Sequence, residues 1–159
     1  MTLFIPTLVC HTMLVTLFAS AIELSTDSAP AGQTQTLEGK VVPLAGLLEK
    51  FGSRLDPEAA PQWLALVTEN GKVYPLIKDE GGRLFFNDPR LLNRPMRLTG
   101  RLFSDTHLLQ VLSVNSLHNG VPHEVYYWCE ICSIRRNEKL GKCECCGGPM
   151  ELKEVPIKK

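Results

Sequence analysis

The chain lacks an excess of charge of either sign. Its 17 Lys and Arg balance 17 Asp and Glu, so the formal net charge is zero. A nucleic-acid binder usually carries a basic surplus, and this absence argues against that class. The motifs of several catalytic families are also missing. There is no Gly-x-Ser-x-Gly elbow, no phosphate-cradling glycine loop and no metalloprotease His-Glu pair, so neither nucleophilic hydrolysis nor phosphoryl transfer has a recognisable apparatus. Internal repeats and heptads are absent too, which excludes solenoids and coiled coils. Aromatic residues are sparse at 7%. At 159 residues there is room for one ordinary domain and a small appendage.

The first 22 residues carry no charged side chain. Leu8 to Ala21 is mostly apolar, and Ala19-Ser20-Ala21 has the small-x-small form of a signal-peptidase site. Residues 1–21 therefore read as a signal peptide, and the protein as exported, periplasmic or secreted. If the segment is not cleaved it becomes an N-terminal membrane anchor, although the run is short for a span and contains Pro6 and His11. Residues 22–36, rich in Ser, Thr, Pro, Gly and Gln, read as a flexible linker.

What the chain does have is cysteine in one place. Five of its six cysteines fall after residue 128. Cys129-Glu130-Ile131-Cys132 and Cys143-Glu144-Cys145-Cys146 form two C-x2-C knuckles separated by ten residues. A two-residue gap lets both thiolates of a knuckle turn toward one ion, and zinc takes four such ligands tetrahedrally. The best set is Cys129, Cys132, Cys143 and Cys146, because Cys143 and Cys146 repeat the spacing of the first pair and Gly147-Gly148 follows them. Cys145 is the alternative ligand. Four thiolates imply a closed, structural site, with Arg135, Arg136, Lys139 and Lys142 in the spacer to offset its negative charge. Zinc is the first choice of metal. Cu(I) is the lesser one, on account of the soft thiols and nearby Met150. Disulfides or a redox pair remain open, since an exported chain meets oxidising surroundings. Without Cys10 five cysteines remain, an odd number that does not decide between metal and disulfides.

Between linker and knuckles the pattern is β. A strand is expected over Leu37 to Val42, then a short helix from Leu44 to Phe51 with Leu44, Leu47, Leu48 and Phe51 on one face. Trp63 to Thr68 and Lys72 to Lys78 flank Asn70-Gly71, a type I′ hairpin signal. Asp88-Pro89 caps a helical turn. Met96 to Phe103, His107 to Leu117 and Val121 to Trp128 complete the strands, with Asn119-Gly120 at the last turn. The long strand from His107 is apolar on both faces at first and is expected to be central. His118 and His123 can approach across their hairpin and, with Glu124, offer a second metal position; solvated loop histidines are the plainer reading. Trp63, Tyr74, Phe85 and Phe86 offer either a stacking face or core.

These elements make a mostly β fold: a small OB-like antiparallel barrel with a short inserted helix over residues 37–122, then a four-cysteine module over 123–159. Arg94 to Leu117, RPMRLTGRLFSDTHLLQVLSVNSL, resembles the last hairpin of bacterial OB-fold domains, with Thr99 and Gly100 at the Thr-Gly pair that ends one strand. The tail WCEICSIRRNEKLGKCECCGGPMEL resembles a zinc ribbon. Together they are similar to uncharacterised exported bacterial proteins that join such a barrel to a C-terminal four-cysteine module, a resemblance that implies an architecture and no activity. The leading functional expectation is a non-enzymatic binding or assembly module with structural zinc, meeting another protein through barrel or ribbon. A periplasmic thiol-redox or metal-transfer protein is the alternative, and an OB-fold binder of single-stranded nucleic acid a weaker one.

Overall fold

The computed structural model describes residues 32–139 and 141–157. The signal-peptide reading of residues 1–21, and Cys10 within it, lies outside the described residues. Eight strands form one antiparallel sheet. β1 (Gln33–Pro43) is followed by helix α1 (Leu44–Glu49), then β2 (Leu64–Thr68) and β3 (Val73–Pro75). Helix α2 (Arg83–Asn87) and a 3-10 turn at Pro89–Leu91 precede β4 (Pro95–Phe103) and β5 (Leu108–His118). β6 (Val121–Cys129), β7 (Ile134–Arg136) and β8 (Glu151–Pro156) complete the chain.

The strand order is β3-β2-β1-β4-β5-β6-β7, with β8 added on β6. The expected mostly β fold is thus found. The sheet is not closed by a ladder; the chain just past β3 meets β5 at one isolated parallel bridge, Leu76 to Leu109, where the Ile77 amide donates to the Leu109 carbonyl at 3.0 Å. β5 lies between β4 and β6, central as expected.

β1 organises the sheet, and it starts at Gln33, inside the stretch expected to be linker. Its first part pairs with β4 and its last part with β2, and Gly39 and Lys40 pair with both. At this crossover a Cβ on Gly39 would stand 2.2 Å from the Val67 carbonyl oxygen. Only glycine lets the two backbones approach so closely. The Thr99-Gly100 pair sits at a β-bulge between β4 and β5, which bends the strand there.

The core draws residues of β1 to β6 together: Val41, Leu66, Met96, Leu98 and Leu109 are fully buried, with Phe85, Leu91 and Tyr127 closing it. Phe85 arrives on α2, with Leu84 beside it in the core. Asp88 accepts the Arg90 amide at 3.1 Å, the cap expected for the turn at Pro89. Its buried carboxylate also takes the Arg90 guanidinium and the Tyr127 hydroxyl, the latter at 2.8 Å. First the Arg90 side chain, then the Tyr127 hydroxyl, hold the Asp88 carboxyl down to about 2 against the cost of burial.

Two local expectations change. The helix α1 ends at Glu49 and buries no residue, and Phe51 is 83% exposed rather than on an inner face. At Asn70-Gly71 only Gly71 has positive φ, and Thr68 and Lys72 close a three-residue loop, so the turn is not type I′. Asn119 and Gly120, at φ 52° and 78°, do form the type I′ pair between His118 and Val121.

Candidate metal centre

β6 carries the chain from the core into the cysteine cluster without a break, crossing residues 122 and 123. Its early residues pair with β5 (Val121 to Glu124) and its last with β7 (Tyr127 to Cys129). β8 pairs with residues 123–128. Because β8 overlaps both partners in register, it must occupy the opposite edge of β6 from β5 and β7. The three strands β6, β7 and β8 make the small sheet from which the first knuckle leaves. Lys153 on β8 reaches Glu130 of that knuckle at 2.8 Å.

The two knuckles have the same backbone design. In the first, the Ser133 amide donates to the Cys129 carbonyl at 2.8 Å and Ser133 has φ 53°. In the second, the Gly147 amide donates to the Cys143 carbonyl at 2.8 Å and Gly147 has φ 70°. Each chain thus turns left-handed immediately after its second cysteine. Glycine does this freely in the second knuckle; Ser133 does it at a cost. The glycine after Cys146 was legible in the sequence, whereas nothing in Ser133 announced the same conformation.

The turns bring Cys129, Cys132, Cys143 and Cys146 together, with all four Sγ atoms within 4.8 Å of one another. Cys129 and Cys146 sulfurs are 3.6 Å apart. Four sulfurs about 2.3 Å from one tetrahedral ion stand about 3.8 Å from each other, so the donor set fits zinc in both chemistry and size. Cys129 and Cys143 are buried, Cys132 is half-buried, and Cys146 is exposed. Cys145 is exposed and stands outside the four.

Backbone amides of Cys146, then of Cys145, pull the Cys143 thiol down to about 7. The Gly148 amide donates to the Cys146 sulfur at 3.4 Å. Cys132 is pushed the other way, first by the neighbouring Cys145 and Cys146 thiols. Several thiolates so close together repel one another, and a bound cation is what would let all four ionise.

The spacer cations do not simply face the sulfurs. Arg135 reaches Glu124 at 2.6 Å and lies over the Tyr126 ring at 4.3 Å. Arg136 pairs with Glu144 at 2.7 Å. The expected charge offset is therefore shared with carboxylates. Met150 packs against the hydrophobic core, so the thioether that raised Cu(I) has an apolar role.

His118 and His123 do meet, with ring centroids 4.3 Å apart. Glu124 does not join them, being paired with Arg135. The carboxylate beside His118 is Glu154 of β8, which also takes both Arg94 nitrogens at 2.8 and 2.6 Å and the Ser116 hydroxyl at 2.5 Å. Burial opposes ionisation of Glu154, but Arg94, Ser116 and His118 outweigh it and hold the carboxyl down to about 2. The sequence could not show this residue as the partner, since it arrives through a strand pairing, 36 residues on from His118. Tyr74 and Phe85 are buried and Phe86 packs against the core, while Trp63 is exposed. The four aromatics thus do not form a shared stacking face.

Comparison of the chain with protein-family models, with curated proteins and with solved structures finds no match.

Proposed function

We propose that this is an exported, non-enzymatic binding or assembly module in which Cys129, Cys132, Cys143 and Cys146 hold one structural zinc ion. The observation that carries the reading is the pair of matched knuckles, each closed by an amide on the carbonyl of its first cysteine, that converge four sulfurs within 4.8 Å. An all-cysteine set leaves no position for water or substrate. The order of the antiparallel strands, and the single parallel bridge between Leu76 and Leu109, favour an OB-type reading of the larger sheet. Export rests on the uncharged apolar segment at residues 1–21. A protein partner is favoured over nucleic acid by the balanced charge and the burial of Tyr74 and Phe85. Ile131, 72% exposed at the first knuckle, offers an apolar contact on the ribbon for that partner.

Native mass spectrometry with elemental analysis, on protein purified without chelator, tests the metal. One zinc per chain with reduced cysteines is the expected result. A metal-free chain lighter by two or four hydrogens overturns it. That outcome would favour the second reading, a thiol-redox or metal-transfer protein, for which the exposed Cys145 and Cys146 are the observation. Intact mass also tests export, because a soluble cytoplasmic species that retains Met1 to Ala21 would refute it.

A further inference from the structure

The two histidines of the β5–β6 hairpin are arranged for more than packing. His118 pairs with Val121 and Ser116 with His123, so His118 and His123 share one face of the sheet as diagonal neighbours. Glu124 follows His123 and so points to the opposite face. The rings stand 4.3 Å apart at 33°. His118 is exposed, and His123 is half-buried.

Hydrogen-bond partners determine the proton positions. Nε2 of His118 lies 2.5 Å from Glu154 Oε2, against 3.1 Å from both an Arg94 nitrogen and the Ser116 hydroxyl. A carboxylate that takes two guanidinium nitrogens is ionised and only accepts, so this shortest contact puts the proton on Nε2. Nδ1 of His123 lies 2.9 Å from the Val121 carbonyl, which also only accepts, so here Nδ1 carries it. In the neutral rings this leaves a lone pair on Nδ1 of His118 and one on Nε2 of His123. Neither nitrogen takes a hydrogen bond among the described residues.

One nitrogen anchored to a carboxylate or backbone carbonyl, with the other free, is how metal-binding histidines are held. Two imidazoles bound side by side to one ion, with metal–nitrogen bonds of about 2.0–2.1 Å, have centroids roughly 4.5–5 Å apart. The observed separation lies close to that. Arg94 stands 3.1 Å from Nε2 of His118, and two of its nitrogens are also engaged by Glu154, which offsets its charge at this place.

We propose that His118 and His123 form a second metal-ion site, selective for divalent ions that favour imidazole, such as Zn2+ or Ni2+. Glu154 and the Val121 carbonyl act as its orienting partners and not as ligands. With two protein ligands the site keeps open positions for water or an outside group, unlike the closed thiolate set. It is exchangeable, and it does not depend on the cysteine reading.

The test is calorimetric titration of Zn2+ into the full chain carrying Cys145→Ser, already loaded with one equivalent of zinc. A second, weaker equivalent is expected. Either His118→Gln or His123→Gln should weaken it at least tenfold, with the first equivalent and the far-ultraviolet circular dichroism unchanged. Glu154→Gln should weaken it 10- to 100-fold, as expected for the loss of an orienting partner. The absence of a second equivalent up to millimolar zinc would overturn the proposal, as would one indifferent to either histidine. If the cysteines prove to be disulfides, the histidine-dependent equivalent becomes the only one, and the proposal stands or falls by the same substitutions.

Discussion

The larger sheet and the cysteine module are held together by different forces. The first buries Leu66, Met96, Leu98, Leu109 and Phe85 at 1% exposure or less, an apolar core of the ordinary kind. In the second, the deeply buried side chains around the knuckles are Cys129 and Cys143, while Ile131 is 72% exposed. A module so poor in buried carbon cannot repay its own chain entropy. Its order would come from the ion that the four sulfurs could hold. β6 belongs to both regimes: Val125 and Tyr127 point into the core, and two residues later Cys129 points into the sulfurs.

The sharpest way to break the comparison is to remove the ion. A chelator, or Cys143→Ser, should erase the amide dispersion of residues 130–150 in an NMR spectrum and leave β1, β2 and β4 dispersed. Structural zinc is worth about 10–16 kcal/mol in small modules. Cys145→Ser should retain zinc and order. Uniform loss of all signals would show that the two regions fold as one unit.

The next largest contrast is between aliphatic side chains. Leu98→Ala should lower the unfolding free energy by about 2–5 kcal/mol, whereas Ile131→Ala should stay within about 0.5 kcal/mol. Urea denaturation of both variants, zinc-loaded, measures this.

Acid should act on the carboxylates that join elements. Asp88 and Glu154 are both held down to about 2 in the folded chain. Their stabilisation is complete above about pH 5 and is lost as pH falls toward 2. For fully buried Asp88 the shift from 3.8 corresponds to about 2 kcal/mol. Asp88→Asn should therefore be less stable at neutral pH and show a shallower acid slope in thermal melts. An unchanged slope would remove Asp88 from the account.

The smallest effect separates the two knuckles. Ser133→Gly relieves a left-handed backbone and should stabilise the zinc-loaded form by about 1 kcal/mol, while Gly147→Ala should cost about as much. Competition with a chromophoric chelator would read both.

Features whose cause is local were legible in the sequence. The knuckles, the Asn119-Gly120 turn and the Asp88 cap each depend on residues within a few positions of one another. The identical dipeptide at Asn70-Gly71 misled, because the register of β2 against β3 admits a third loop residue there. Phe51 continued the spacing of an apolar face that the helix, ending at Glu49, never reaches. Gln33 to Thr36 looked like linker because their composition is polar, yet their backbone pairs with β4. Sheet pairing answers to hydrogen-bonding neighbours as well as to hydrophobicity. Glu154 could not be assigned to His118 before β8 was placed.

The placement of β8 also has a consequence in time. The segment between β6 and β8 runs from residue 130 to 150 and contains the entire second knuckle. With the sulfurs unjoined, that segment would be a long tether, and one edge of β6 would wait uncovered with its amides and carbonyls open to other chains. Gathering the sulfurs would shorten the tether and bring β8, with Lys153 and Pro156 on it, to its place. The supply of metal would then set how long each new molecule stays adhesive. Starving the cell of zinc should therefore first raise the fraction of this protein found in aggregates.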